Sequence, residues 1–149
     1  MPDEVAPLAF IDANVWLYAF IAADDAAKTA RAGELIRGSR SVVSVQVINE
    51  VCVNLLRRGI FAEAAMPALI DSFFATTAVI HPNHAMLVEA SKLRERYSLS
   101  FWDSQIVASA LQAGTPILYT EDMQHGLVWT ADSLSSILLL LREPSELLL

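Results

Sequence analysis

The chain has 149 residues and a formal net charge of −7 at pH 7, and hydrophobic residues make up 54% of it. This length suits one domain and is short for two of ordinary size. The negative charge argues against a protein coated in basic residues for nucleic acid, although it is compatible with a local basic patch beside an acidic pocket. The apolar excess predicts that part of the surface faces a partner protein.

The cysteine content and the chain ends favour a cytoplasmic protein. Cys52 is the only cysteine, which excludes an intrachain disulfide and a thiolate zinc site and is typical of a reducing compartment. The first residues carry acids where a signal peptide has positive charge, and no apolar run approaches the ~20 residues of a membrane span. Residues 127–149 are predicted to form an atypical apolar tail, either a short helix or a segment covered by a partner.

Short apolar segments alternate with helical ones along the chain. Strands are predicted at residues 8–11, 41–45, 77–80 and 117–120. Helices are predicted at residues 14–22, 25–37, 46–58, 62–75, 84–96 and 101–113. Asn83 and Ser100 are predicted to cap the last two of them. This order predicts the α/β class, as an α/β/α sandwich with a central, mainly parallel sheet.

Four carboxylates stand where this fold would bring them toward one crevice. Asp12 ends the first predicted strand, and Asp122 follows the fourth. Glu50 lies on a polar stripe of the helix after the second strand, and Asp103 lies near the start of the last predicted helix. Ligands of such sheets bind beyond the carboxyl ends of the strands.

Each acid taken alone has a structural explanation. Asp12 and Asp122 could be helix N-caps, and Glu50 could simply be solvated. Asp103 could form a capping pair with Ser100. Four converging carboxylates, however, repel one another unless a multivalent cation lies among them. Oxygen ligands select hard ions such as Mg²⁺ or Mn²⁺, and a site of this kind is suited to phosphodiester hydrolysis.

Four ordered motifs carry a resemblance to a known family. They are F-I-D-A-N at residues 10–14, S-x-x-x-x-N-E at 44–50, S-F-W-D-S at 100–104 and L-Y-T-E-D at 118–122. In this order and spacing they resemble the PIN-domain ribonucleases, in particular the VapC type of bacterial toxin, over residues 8–126. The resemblance implies a sheet of about five strands in a PIN-like nuclease domain over residues 1–126, with a Mg²⁺ or Mn²⁺ site.

The resemblance also assigns residues to the site. It implies that the catalytic and metal-binding acids are Asp12, Glu50, Asp103 and Asp122. Asn14 would hold a carboxylate through hydrogen bonds, and Thr120 or Ser104 would do similar work. Glu121 ranks below Asp122, because alternation along the strand end turns it to the other side.

The resemblance implies partners as well as a substrate. The substrate is RNA, and the protein partners are a second copy of the chain in a homodimer and a cognate antitoxin. The antitoxin would bury part of the apolar excess. Members of the family usually close with a short strand after the fourth acid, and Trp129 to Leu149 do not match that closing segment.

Cations are the candidates for contacts with the RNA. Arg57 shares the polar stripe of Glu50, and it is predicted with Arg58 to bind phosphates. A second cationic group is interpreted as a solvated helix face that pairs with nearby glutamates, and it comprises Lys92, Arg94 and Arg96.

Histidines and aromatic residues receive structural interpretations. A zinc site is a minor alternative for the histidines, which are His81, His84 and His125. The aromatic residues Trp16, Phe101 and Trp102 are predicted in the core rather than as base-stacking surfaces, although Trp102 stands next to an acid of the site.

Two other functions remain as alternatives. One is a different acid-built Mg²⁺ hydrolase, such as a phosphatase. The haloacid-dehalogenase pattern D-x-D-x-[TV] is incomplete here, because D-A-N-V-W at residues 12–16 lacks the second acid. The other alternative is a non-catalytic module whose pocket serves a binding partner.

Overall fold

A computed structural model describes residues 5–21, 25–122 and 126–129, with side chains described as far as Thr120. In these ranges the strands are β1 Leu8–Ile11, β2 Arg40–Ser44, β3 Ala78–Ile80, β4 Ile117–Asp122 and β5 Gly126–Trp129. The α-helices are α1 Ala13–Phe20, α2 Ala26–Arg37, α3 Val45–Arg57, α4 Met66–Thr76, α5 His84–Tyr97 and α6 Phe101–Gln112, and a 3-10 turn covers Glu63–Ala65. No helix in these ranges is long and apolar enough to cross a membrane.

The five strands form one sheet in the order β3-β2-β1-β4-β5. Strands β1, β2, β3 and β4 run parallel to one another, and β5 pairs antiparallel with β4. Helices connect the parallel strands, as this strand direction requires. The predicted α/β class and the mainly parallel sheet are therefore confirmed. The carboxyl ends of β1 and β4 lie side by side in the middle of the sheet.

The fourth strand is longer than predicted, and a fifth one follows it. Strand β4 runs to Asp122 instead of ending at residue 120, because its last residues pair with β5, Asp122 opposite Gly126. The alternation of apolar residues in β4 carries no sign of this pairing, since the pairing depends on a second strand. The rest of the predicted apolar tail, residues 130–149, lies outside the described residues.

The core lies where the central strands meet the helices. In β1, Phe10 and Ile11 are both fully buried although they point to opposite faces, so both faces of the sheet are covered. Helix α3 adds Val47, Val51 and Leu55 at helical spacing, and all three are fully buried.

Trp16 ties the first helix to the first strand. Its indole N–H donates a hydrogen bond to the carbonyl oxygen of Ile11 at 3.1 Å. Its ring packs edge-to-face against Phe73 of α4, with 5.0 Å between the ring centroids. The prediction that Trp16 belongs to the core is confirmed, since its side chain is buried.

Replacing this indole tests the contribution of the buried hydrogen bond. We expect Trp16→Phe to lower the free energy of unfolding by about 2 kcal/mol, because it leaves the Ile11 carbonyl without its donor and opens a small void. Urea titration of the purified variant measures the change. The matched control is Trp102→Phe, whose ring is 62% exposed. Equal losses for the two variants would contradict the assignment.

Candidate active site

Asp12 stands at the joint between β1 and α1. Its backbone N–H donates to the Tyr119 carbonyl of β4 at 2.9 Å, which extends the pairing of the two strands by one residue. Its side chain caps α1, where one carboxylate oxygen accepts from the Ala13 N–H at 2.7 Å. The other oxygen accepts from the Thr120 hydroxyl at 2.8 Å, across 108 positions of sequence. The predicted N-cap is therefore present, and the same carboxylate is also bound to β4.

The surroundings of Asp12 disfavour its negative charge. Burial raises the pKa of this carboxyl from 3.8 to about 6, although the hydrogen bonds from Thr120 and Ala13 act in the opposite direction. The negative charges of Glu50 and Asp103 raise the same pKa further. Glu50 and Asp103 therefore both lie within electrostatic reach of Asp12.

Glu50 is brought to this edge by the start of α3. The helix begins directly after β2, where the Ser44 hydroxyl accepts a hydrogen bond from the Val47 N–H at 3.2 Å. The Glu50 carboxylate is half-buried and accepts a hydrogen bond from the Gln46 amide at 2.9 Å. Gln46 was not singled out in the sequence, although a spacing of four residues brings two side chains of a helix together.

Asp103 lies in the first turn of α6. Its N–H donates to the Ser100 hydroxyl at 3.1 Å, so Ser100 is the N-cap and one half of the expected capping pair is present. The Asp103 carboxylate is exposed, and it accepts no hydrogen bond from the described part of the chain. The returning half of a capping box is therefore missing, and this carboxylate faces solvent beside the other acids.

Asp122 is placed by its backbone alone. It ends β4 two residues beyond Thr120, opposite Gly126, and its side chain lies outside the described atoms. Among the side chains that are described, no group of three histidines, cysteines or acids is close enough together to hold one metal ion. The acids thus share one edge of the sheet without forming a closed ligand set.

The three residues that were predicted to support the acids by hydrogen bonds make different contacts. Thr120 contacts Asp12, as described above. The side chain of Asn14 is exposed and makes no hydrogen bond to a described carboxylate. Ser104 is buried, donates to the Phe101 carbonyl at 2.6 Å and accepts from Arg94 at 2.8 Å, so it serves an arginine rather than an acid.

The cations divide between different surfaces. Arg57 lines a groove that also contains Glu50. Arg58 lines a separate pocket, which also contains Asn14. Arg94 was interpreted as part of a solvated face, and this is wrong, since its guanidinium lies over the Phe101 ring at 4.5 Å and binds buried Ser104. The packing of α5 on α6 causes this contact, and helical periodicity does not reveal which two helices pack together.

Two aromatic residues lie outside the core that was predicted for them. The side chains of Phe101 and Trp102 are 52% and 62% exposed, because α6 enters the core only from Ser104 onward. Of the histidines, His81 and His84 are exposed near the start of α5, and His125 lies outside the described residues.

Comparison with known proteins identifies the family. The PIN domain model matches residues 9–126, and no curated protein gives a significant sequence match. Among solved structures, VapC20 of Mycobacterium tuberculosis, a sarcin-ricin loop cleaving toxin, superposes with a TM-score of 0.64 at 22% identity, covering 80% of this chain and 96% of that one. A toxin-antitoxin complex from Klebsiella pneumoniae gives 0.61 at 18% identity, with 78% and 88% covered. PAE2754 from Pyrobaculum aerophilum gives 0.52 at 19%, with 80% and 77% covered. These likenesses show a common fold, and because the family model spans most of the chain, the protein belongs to the PIN domain family.

Proposed function

We propose that this protein is a Mg²⁺- or Mn²⁺-dependent endoribonuclease and the toxin of a toxin-antitoxin pair. The proposed catalytic acids are Asp12, Glu50, Asp103 and Asp122. One observation above all supports the proposal. The negative charges of Glu50 and Asp103 both act on the carboxylate of Asp12, which lies at the carboxyl edge of the sheet. In open α/β sheets, ligands bind beyond the carboxyl ends of the strands, which is this edge.

The chemistry of these residues fits a hard divalent cation. All the donors are carboxylate oxygens, which hard ions prefer. The charge on Asp12 is destabilised by burial and by two neighbouring acids, and a bound cation would remove that penalty. We infer that Asp12 and Asp103 would hold the ion directly, and that Glu50 and Asp122 would bind it directly or through water.

Residues around the proposed site orient the acids and the substrate. A bound divalent ion would polarise a phosphoryl oxygen and lower the pKa of a coordinated water. The hydrogen bonds from Thr120 and Ala13 fix both oxygens of Asp12, so this carboxylate cannot rotate away from the sheet edge. The Gln46 amide orients Glu50 in the same way. Arg57, in the groove beside Glu50, is placed to bind a phosphate of the RNA.

Structures with the same fold support the proposed substrate and partners. One of them is a sarcin-ricin loop cleaving toxin, and another is part of a toxin-antitoxin complex. We propose an antitoxin and a second copy of the chain as partners in the cytoplasm. They would cover exposed apolar side chains such as Phe20, Ile70 and Phe74. Recovery of the chain alone from its native host, at monomer mass, would contradict both contacts.

A cleavage assay on structured RNA tests the proposed activity. We expect internal cleavage with Mg²⁺ or Mn²⁺ and none with a chelator present. Hydrolysis of a phosphate monoester without cleavage of RNA would favour a phosphatase instead. The absence of hydrolysis with every ion and substrate, together with retained partner binding, would favour the non-catalytic module.

Removing the Thr120 hydroxyl tests how Asp12 is oriented. Thr120→Val keeps the shape of the side chain and removes the donor to Asp12. We expect metal affinity to fall by about 10- to 100-fold, as for other groups that orient a ligand. The acidic limb of the pH–rate profile should also move to higher pH, because this hydrogen bond lowers the pKa of Asp12.

A second threonine provides the control for this variant. Thr76→Val removes an exposed hydroxyl on α4 that donates to the Ser72 carbonyl. It should leave the metal affinity and the pH–rate profile unchanged. A Thr120→Val protein with the metal affinity and the pH–rate profile of the wild type would show that Asp12 does not depend on this contact.

A further inference from the structure

A groove of about 610 Å³ adjoins the acids. Its walls come from α3, the start of α5 and the start of α6, and we call it the α3–α6 groove. Glu50 belongs both to this groove and to the group of acids. Phe101 and Trp102 also line it, and Asp103 directly follows Trp102 in the chain. The groove is therefore continuous with the proposed active site, and its volume lies in the range of clefts that bind small organic groups.

The aromatic pair at this groove is held in place although it is exposed. The Phe101 and Trp102 rings meet edge-to-face, with 5.2 Å between their centroids. Arg94 lies over the Phe101 ring, and a hydrogen bond to buried Ser104 fixes its guanidinium. The Trp102 indole, 62% exposed, is thus presented to solvent by a rigid support. An exposed aromatic ring with little freedom loses little entropy when a second ring stacks on it.

Gln105 adds a polar group with unmet hydrogen-bonding capacity. Its side chain is 6% exposed and lines the same groove, one helical turn after Trp102. Within the described part of the chain its amide makes no hydrogen bond. Buried amides are normally paired, because leaving one unpaired is costly. The amide of Gln105 therefore indicates a ligand that offers both a donor and an acceptor.

We propose that Trp102 and Gln105 form a recognition pocket for one unpaired base of the RNA, next to the phosphate that is cut. The base would stack on the Trp102 indole, and the Gln105 amide would bond its polar edge. Aromatic stacking combined with hydrogen bonds to base edges is how single-stranded RNA is commonly read. Arg57, in the same groove, provides a cation for a neighbouring phosphate. This inference rests on the proposed ribonuclease function and names residues that select the substrate.

A nucleotide fits these observations better than a second copy of the chain does. The lining combines an aromatic ring, an amide with no partner among the described residues and an arginine, which match a base, its edge and a phosphate. The groove also opens toward Glu50, where the phosphodiester would have to lie. A purely apolar protein contact would leave the Gln105 amide unpaired.

Oligoribonucleotides with single changes test the pocket. In one series, each position around the cut carries an abasic residue in turn. We expect the wild-type rate to fall about 10- to 100-fold at one position, which is the usual effect of losing a stacked base. Trp102→Ala should show a loss of similar size on the intact oligomer and no further loss when that same base is absent. Trp102→Phe should recover most of the rate.

A second series varies the base at the position found in this way. We expect the wild type to discriminate among the four bases and Gln105→Leu to discriminate much less. This variant replaces a buried amide, which has no partner in the described part of the chain, by an apolar side chain of similar size, so it should fold at least as well as the wild type. The matched control is Ile60→Ala, which shortens a 44% exposed apolar side chain outside the groove and should change neither series.

Several outcomes would overturn the pocket. One is a Trp102→Ala protein that cleaves like the wild type, or that loses rate equally at every abasic position. Another is a fall in sedimentation mass that accompanies the loss of rate, which would assign Trp102 to a contact between two copies. If the wild type cuts no RNA with any ion, the proposed function fails. In that case binding of the oligomer can still be measured by the quenching of tryptophan fluorescence. Quenching in the wild type that is lost in Trp102→Phe would support the pocket, and a wild type without quenching would refute it.

Discussion

Asp12→Asn is expected to reduce RNA cleavage by about a thousandfold while the protein stays folded. The variant removes the charge that the divalent ion needs, and a loss of several kcal/mol of transition-state stabilisation corresponds to about three orders of magnitude in rate. Its local contacts can be retained. The Asn oxygen can still accept from the Ala13 N–H, and the Asn amide can donate to the Thr120 hydroxyl. Rates should be compared at saturating Mg²⁺, with circular dichroism as the measure of folding.

A matched substitution separates this effect from a general loss of negative charge. Asp71→Asn makes the same chemical change at an exposed position of α4 and should cleave like the wild type. An Asp12→Asn protein that cuts RNA at the wild-type rate would refute the assignment of Asp12. Loss of activity in both variants would indicate that net charge, rather than this carboxylate, limits the reaction.

The fold could be read from the sequence because its signals are local. Buried β1 appears as a short apolar run, and the helix starts are marked by side chains that cap them. The caps predicted at Asn83 and Ser100 are confirmed, since Met86 and Asp103 donate to them. Strand β5 could not be predicted in the same way, because its pairing with β4 leaves no repeating pattern in the sequence.

In the candidate site, too, the contacts that follow from the sheet could be predicted, and those that depend on helix packing could not. The meeting of Asp12 and Thr120 follows from the sheet, because two parallel neighbours end at the same edge. The exposure of Trp102 and the binding of Arg94 to Ser104 do not follow from it. They depend on where α6 enters the core and how α5 packs against it, and an apolar residue beside a helix start looks the same in either case. The surroundings of Trp102 and Arg94 were therefore misjudged from the sequence, because they depend on helix packing.

The second large effect is on the free energy of unfolding. Replacing Asp12 by Asn should raise this free energy at neutral pH, whereas the loss of an ordinary paired acid would lower it. The Asp12 carboxyl has a pKa of about 6 in the folded protein, above the usual 3.8, so the folded state binds the proton more tightly than the unfolded state does. The stabilising contribution of the protonated group is complete below the unfolded pKa and is lost as pH rises through 6. In chelator, we expect Asp12→Asn to exceed the wild type in free energy of unfolding by about 1 kcal/mol near pH ~4.5 and by about 3 kcal/mol near pH ~7.5.

The difference in free energy of unfolding between the two proteins isolates the effect of Asp12, because the other acids titrate in both proteins. Urea titrations at the two pH values measure this difference. Added Mg²⁺ should then reduce this difference at neutral pH. An ion that binds only the folded wild type stabilises that protein more as the site fills. A difference that is independent of pH, or a wild type that is more stable than the variant in chelator, would show that the charge on Asp12 is already compensated within the protein. The need for a cation at this edge of the sheet would then disappear, and with it the physical basis for placing the metal there.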